Sequence, residues 1–465
     1  MARLDADVAI VGAGLSGLAA AFRLSQQAVR IRMVEAAARP GGVIGSVRRD
    51  GALYELGPNS GLDTTPLVNE LLAAAGIAGE RVDAEAAAAR RYILRNGVLC
   101  ALPTSPPAFV GSSLFSWRAK LALLREPFVR PAPADAEETV AAFVRRRLGD
   151  EFLDYAIEPF VAGIYAGDPE TLSVPAAFPR LAALERKHGS LIRGQIIGAR
   201  ERRQSAEKSK NAAASFSFRD GMQTLTDALA RGLDAEYGTR VAGLRREADG
   251  SFVLECERAA ERFELRARSV LLAVPAYEAA RIVERLAPEA AAALAAIVYP
   301  PVATVAGCYR RADVAHPLDG FGFLAPRKEA PPILGCLFSS SMFAGRSDGS
   351  TVLLTTFVGG ARSAPLALGS EDEIAASVSA ALAGYLGARR PLWQVVTRWP
   401  RAIPQYTLGH LQRIAAVERA EAAAPGLRLG ANWRGGVSVA DCIKSAHASV
   451  EAVQRYLRQA ARSAA

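Results

Sequence analysis

"DVAIVGAGLSGLAAAFRLSQQAVRIRMVE", Asp7 to Glu35, decides how this 465-residue chain begins to fold. The β-branched run DVAIV has the character of a buried parallel strand. It leads into Gly12, Ala13, Gly14, Leu15, Ser16 and Gly17, a complete G-x-G-x-x-G, and apolar residues then follow at helical spacing through Leu24. A second strand, RIRMV, ends in Glu35. Each part has a physical task. Gly12 permits the tight turn, Gly14 lets backbone approach a pyrophosphate, and Gly17 lets the helix pack close to the strand. The helix N-terminus presents N–H groups and positive potential to the phosphates. Glu35 stands where a carboxylate accepts hydrogen bonds from a ribose diol. The pattern predicts a strand–turn–helix that binds a dinucleotide.

The residues that follow narrow the choice of dinucleotide. "ARPGG" puts Arg39, Gly41 and Gly42 just past the acid, with Ala36 before them and Val43 after. This resembles the Arg-x-Gly-Gly signature of amine-oxidase-like FAD flavoproteins, in which a second glycine pair carries the chain past the pyrophosphate. FAD is the cofactor this implies, held without a covalent bond.

The far end of the chain has the same shape. In "LRLGANWRGGVSVADCIKSAHASVEAV", Leu427 to Val453, a strand is followed by the Gly430 turn and by RGGVSV, which approaches a ligand closely. A helix is predicted from near Asp441, with Ile443, Ala446, Val450, Val453 and Leu457 on one face. Its N-terminus, aimed at a flavin ring, would stabilise the negative charge of the reduced form. One turn then holds the phosphates and the other sits at the reactive ring, so the two ends of the chain meet around one extended cofactor. His447 and Cys442 read as packed, structural side chains.

Composition excludes several other classes. The chain carries 56 basic and 47 acidic residues, and half of its residues are apolar. The densest basic runs, Arg145 to Arg147 and "ERRQSAEKSK" (201–210), do not interleave with aromatic residues as a nucleic-acid stacking surface would, and read as solvated faces. Nucleic acid is not expected as a partner. Five cysteines and four histidines are dispersed, with no C-x-x-C pair, so no metal site is expected. No apolar run reaches the roughly 20 residues of a membrane-spanning helix, and the first strand leaves no room for a signal peptide. The expected location is the cytoplasm.

Eight stretches then occur in an informative order: "ELGPNSGLDTTPLVNELLAAAGI", "RRYILRNGVLCALPTSPPAF", "FVAGIYAGDPETLSV", "SFSFRDGMQTLTDAL", "GFGFLAP", "LLTTFVGGAR", "IPQYTLGHL" and "GANWRGGVSVADCI". Together they resemble the oxygen-dependent protoporphyrinogen/coproporphyrinogen oxidases, flavoproteins of haem and chlorophyll synthesis, from about residue 7 to residue 455. Val43 (where Arg or Trp is common), Gly61 after GPNS, and "GAN" in place of "GN" depart from that pattern, all along the flavin-facing wall.

The resemblance implies an α/β chain: a discontinuous, Rossmann-like FAD lobe of the GR2 type, with an antiparallel-sheet substrate lobe and a mostly helical lobe inserted. The cofactor lobe is expected to take residues 1–89, 206–286 and 391–465, the substrate lobe 90–105 and 287–390, and the helical lobe 106–205. Within the first part a helix from Pro66 to Ala75 is predicted, capped by Thr64 or Thr65 and ended by Gly76. "ERRQSAEKSKNAAAS" (201–215) reads as a polar loop.

In that family a hydride leaves a bridging methylene of a porphyrinogen and a proton leaves a pyrrole nitrogen. Dioxygen is the final acceptor and hydrogen peroxide the by-product. The flavin does the chemistry, so no catalytic side chain is expected. The resemblance gives Arg91 a substrate propionate, sets Asn59 near flavin and substrate, and makes Leu324, Leu337 and Phe357 the apolar walls. It adds Gly57, Pro58, Asn59, Ser60, Val241, Trp399, Val437, Ser438 and Val439 to the cofactor contacts. On composition alone, the wall residues read as sheet core and Arg91 as a surface arginine no different from Arg90 or Arg95. Relatives rest the helical lobe on a membrane surface. Phe109, Leu114, Phe115 and Trp117 are candidates for this, but on sequence alone they read as that lobe's own core. Peripheral attachment to the inner face of the cell membrane and a homodimer are both compatible with the sequence. Preference between the two porphyrinogens stays open, as do an amine oxidase, a carotenoid desaturase and a flavin-carrying scaffold as rival readings.

Overall fold

The computed structural model describes residues 4–133, 136–197 and 213–464. The polar stretch 201–215 lies almost wholly outside the described residues, as does the basic run within it.

The first strand, Ala6–Val11, is nearly all buried and lies parallel to Ile31–Val34 on one side and to the second half of Glu261–Leu272 on the other. Leu427–Leu429 adds a further parallel strand beside Val270 to Leu272. The first half of Glu261–Leu272 turns antiparallel partners, Phe252–Arg258 and then Thr239–Arg246, into the same sheet. Because side chains alternate along a strand, Val8 and Ile10 enter one core while Ala9 and Val11 enter the other. The first core is closed by helices Leu15–Ser25, Gln223–Ala230 and Val439–Ala464. The second is closed by Ala276–Val283, Pro288–Ala295 and His410–Ala423.

A second sheet has the order Pro391–Trp399, Val302–Arg310, Thr351–Gly359, Gly335–Leu337, Gly322–Leu324, Arg91–Arg95 and Val98–Ala101. It is antiparallel except where Gly322–Leu324 runs parallel to Arg91–Arg95. One face packs on helix Glu371–Leu386, which begins in a Ser370–Glu373 capping box and stops at the left-handed Gly387. The limits expected for this lobe, 287 and 390, differ from the pairing found. Helix Pro288–Ala295 packs on the first sheet, and Pro391–Trp399 bonds to Val302–Arg310 across its whole length. Both are long-range partnerships that local pattern does not encode.

Residues 106–197 are mainly short helices around their own core, where the Phe115 and Phe152 rings stack at 4.4 Å. Arg147 and Glu126, both fully buried, pair at 3.2 Å. Glu126 also accepts bonds from Ser190 Oγ and from the Leu191 and Ile192 amides, which fixes the start of helix Leu191–Ile197. Near the N-terminal sheet, the expected helix spans Pro66–Ala74, with Thr65 as its cap.

Candidate active site

Five parallel strands, Ala235–Glu236, Ile31–Val34, Ala6–Val11, the second half of Glu261–Leu272 and Leu427–Leu429, end at one edge of the first sheet. Ligands of open α/β sheets bind at such edges. At the first turn the three motif glycines differ sharply. A Cβ on Gly12 would lie 2.7 Å from the Ala273 carbonyl oxygen, and one on Gly17 would lie 1.9 Å from that of Gly12. Both positions are closed by backbone. A Cβ on Gly14 meets nothing within 4 Å. Gly14 is also the N-cap of helix Leu15–Ser25, whose first turn has no side-chain cap and no acidic residue. The first-turn amides there have positive potential and an open approach.

The Arg39–Val43 loop lies against this turn. The Gly41 amide donates to the Ala13 carbonyl at 2.8 Å, and Gly14 and Gly41 form a parallel bridge. Arg39 does not reach outward: its guanidinium donates to the carbonyls of Pro40, Ile44 and Gly42, and so holds the loop. Glu35 likewise has a task that the sequence did not reveal. One carboxylate oxygen accepts the Ala13 amide at 2.6 Å and the other the Ala37 amide at 2.7 Å. Gly57 passes directly under Val43, since a Cβ there would sit 2.2 Å from the Val43 carbonyl. Pro58, Asn59 and Ser60 follow, half-buried, and the Asn59 amide donates to Gly57. Behind Asn59, buried Arg346 and Glu55 pair at 3.0 Å. Burial pushes the Glu55 carboxyl up, against the pull of Arg346 and the bonds from Ser46 and Met222.

The C-terminal turn arrives at the same edge. The Gly430 amide donates to Leu272, and Trp433 Nε1 donates to Val274 at 3.0 Å, next to the residue that crowds Gly12. Helix Val439–Ala464 begins at Val439, two residues before the expected start. Ser438 is its cap, and the Asp441 carboxylate takes the Ser438 hydroxyl at 2.7 Å. Val439 is buried in the core shared with Leu15–Ser25, whereas Val437 is half-buried against the helical region. Val241 is buried in the first sheet, two residues after Thr239, whose amide bonds the Glu35 carbonyl. Trp399 ties the end of its strand to the Leu56 carbonyl, just before Gly57. Val241 turns its side chain into the core.

The second sheet brings the expected substrate residues together by register. Gly322 pairs with both Arg91 and Leu337, and Gly335 pairs with both Leu324 and Phe357. Residues directly opposite each other, or two apart on one strand, share a face. Arg91, Leu324, Leu337 and Phe357 therefore line one face, and each is half-buried. Their alternates Tyr92, Phe323, Cys336 and Thr356 are buried on the other. The structure also separates two adjacent arginines. Exposed Arg90 is paired with Asp319, which also accepts the Tyr92 hydroxyl at 2.8 Å. Arg91 stands over the Phe321 ring at 5.2 Å, and burial alone pushes its pKa down. Among the described residues no carboxylate pairs with Arg91.

The model of the flavin-containing amine oxidoreductases matches residues 15–454. The chain belongs to this family. It is similar to protoporphyrinogen oxidase 2 of Arabidopsis thaliana, with 34% identity covering 97% of this chain and 94% of that one. It is also similar to coproporphyrinogen III oxidase of Bacillus subtilis, at 30% identity over 97% of this chain and 98% of that one. A crystal structure of a protein from Exiguobacterium sp. 255-15 superposes with a TM-score of 0.81 at 25% identity, over 98% of this chain and 100% of that one. This member of the family is a flavoenzyme with FAD as its cofactor, and the open position at Gly14 fits the phosphate chain of a dinucleotide.

Gly14 has φ −73°, which any residue adopts, so the fold tolerates a side chain there. Gly14→Val should give protein with an unchanged melting temperature as apoprotein but little bound flavin, read as the ratio of visible to ultraviolet absorbance. Gly17→Val, with its Cβ driven into backbone, should instead fail to fold. Full flavin loading of Gly14→Val would contradict the placement of the phosphates.

Proposed function

We propose that this enzyme oxidises a porphyrinogen to the porphyrin with dioxygen as acceptor, at a site between the glycine edge of the first sheet and the half-buried face of the second. The observation that carries this reading is Arg91, a half-buried guanidinium with no carboxylate partner among the described residues, on one face with the apolar Leu324, Leu337 and Phe357. Bound FAD supplies the hydride acceptor and passes the electrons on to dioxygen, giving hydrogen peroxide. Residues of the Gly12–Gly17 turn, Glu35, Arg39–Val43, Gly57–Ser60 and the Gly430–Val439 turn hold it. Cys442, the cysteine nearest that turn in sequence, is buried in the core beside Ile443, which supports non-covalent binding.

Arg91 anchors one propionate through two parallel charge-assisted bonds. Leu324, Leu337 and Phe357 exclude water and clamp the macrocycle so that a bridging methylene faces the cofactor. Arg95 shares this sheet face but is paired with Glu151, which leaves Arg91 as the cation beside the apolar wall that has no carboxylate partner among the described residues. That supports protoporphyrinogen, with two propionates, over coproporphyrinogen, with four. Side chains facing the macrocycle orient it and exclude solvent, and no acid or base among them is required.

The helical region also carries an apolar surface, which includes Trp117 of the four expected residues. Leu114 and Phe115 are buried and Phe109 packs at a tilt on Phe115, as composition alone suggests. Trp117 is exposed, and so are Leu121, Leu124, Phe128, Ile196 and Ile197, with Arg118, Arg125 and Arg193 exposed among them. No described helix is long and apolar enough to cross a membrane. This mixture supports peripheral attachment to the anionic inner face of the cell membrane. Co-flotation with anionic vesicles should be strong for the wild type and largely lost in Leu124→Ser/Phe128→Ser. Equal flotation of both would remove the membrane proposal.

Removing a charge-assisted bond of this kind costs ~1.5–3 kcal/mol, or roughly ten- to a hundredfold in affinity. Arg91→Ala should therefore raise KM for protoporphyrinogen by that factor while kcat, flavin content and spectrum change little. Arg91→Lys should recover part of the loss, and Arg90→Ala should be nearly silent. Porphyrin fluorescence under air, with both porphyrinogens in parallel, gives the measurement. Normal KM in Arg91→Ala would place the propionate anchor elsewhere.

A further inference from the structure

The stretch "IPQYTLGH", Ile403 to His410, has no task in the chemistry above, yet it is built into the interior. Gln405, Tyr406 and His410 are each no more than 3% exposed. Its backbone is strapped to the other unexplained stretch, "AGDPETLSV". The Leu408 amide donates to Thr171, the Ser173 amide donates to Tyr406, and Leu172 bridges Thr407. The Gln405 side-chain amide donates to the Tyr165 carbonyl at 2.8 Å. This segment is therefore fixed to the helical region along its length.

The Gln405 backbone amide also donates to the Val298 carbonyl, and the Tyr406 hydroxyl reaches in yet another direction. It donates to the Asn432 carbonyl at 2.7 Å and accepts the Gly436 amide at 2.9 Å. Both partners belong to the glycine turn that leads into helix Val439–Ala464. Gly435 and Gly436 have φ of +85° and +126°, so side chains of their own cannot hold this turn, and a hydroxyl supplied from outside does. The Tyr406 ring is held in turn, stacked on His410 at 4.2 Å and 12° and packed on Tyr165 at 6.1 Å. Burial keeps the hydroxyl protonated and pushes the His410 imidazole down to about 4, so the clamp carries no charge.

We propose that Tyr406 is a positioning residue for the flavin: its hydroxyl sets the Asn432–Ser438 turn relative to the helical region, so that the turn meets the cofactor in one fixed geometry. This rests on the placement of that turn at the flavin given above. The role differs from ordinary core packing because it acts through two bonds on the backbone of the turn, one of them at Gly436, which has no side chain to hold it.

Tyr165 provides the control. It is equally buried, it touches the same ring cluster, and its hydroxyl donates only to Ala177 within the helical region. Tyr406→Phe and Tyr165→Phe should lower the melting temperature of the apoprotein to a similar extent. Only Tyr406→Phe should raise the dissociation constant for FAD, by about tenfold, as for loss of a buried hydrogen-bond pair. It should also shift the visible flavin bands and make the midpoint potential more negative, since the helix N-terminus is no longer held in place. If both variants bind FAD with wild-type affinity, spectrum and potential, Tyr406 is merely structural and the proposal is overturned. If both weaken FAD binding equally, a general softening of the core explains the effect and the proposal is again overturned. A wild type that takes up FAD but is not reduced by a porphyrinogen would instead strike the functional reading and leave this one standing.

Discussion

Everything in this molecule depends on three distant segments, Ala6–Val11, Val270 to Leu272 and Leu427–Leu429, lying parallel and ending together. Their shared edge creates the site, because each exit turn must pass over the same few square ångströms. Crowding then divides the work among glycines. Gly12 and Gly17 are spent on backbone-to-backbone contact with Ala273 and with each other, and that contact leaves Gly14 as the open position. A side chain at either closed glycine would push the helix off the strand and remove the cradle.

The charges follow a matching logic. Buried ions in this chain are generally paired, as Arg147 is with Glu126, Arg346 with Glu55 and Arg362 with Glu158. Such pairs add specificity more than net stability, because desolvation offsets much of the attraction. Arg91 stands apart: desolvated, aromatic on one side and, among the described residues, without a carboxylate. An unpaired, partly desolvated cation is costly in the resting protein, and an anionic group of a ligand would relieve that cost. The fold places it in register with Leu337 across Gly322, on the one face of the second sheet that no helix of Glu371–Leu386 covers.

Much of this was legible in the sequence where the signal is local. The strand, glycine turn, helix and terminal acid of residues 7–35 carry their own geometry. What could not be read depends on partners far away in the chain. Glu35 and Arg39 prove to buttress backbone, which only the folded loop reveals. Pro391–Trp399 joins the second sheet because of its pairing with Val302–Arg310, and nothing in its own pattern chooses that sheet over the first. Leu114 and Phe115 are buried while Leu124 and Phe128 are not, although all sit in similar apolar stretches. The link from Tyr406 to Gly436 spans a glycine-rich turn that offers no side-chain signal at all.

The central claim is that a porphyrinogen bound at the second sheet delivers its hydride to a flavin held at the edge of the first. Rapid mixing of the FAD-loaded protein with protoporphyrinogen under strict exclusion of oxygen tests this most directly, since it isolates the reductive half of the reaction. The visible flavin absorbance should bleach on mixing, with the porphyrinogen oxidised by a single two-electron step, and full porphyrin absorbance should appear only when air is admitted, because each flavin takes two of the six electrons that separate a porphyrinogen from its porphyrin. Flavin that stays oxidised in the presence of saturating porphyrinogen, in protein that binds FAD stoichiometrically, would contradict it.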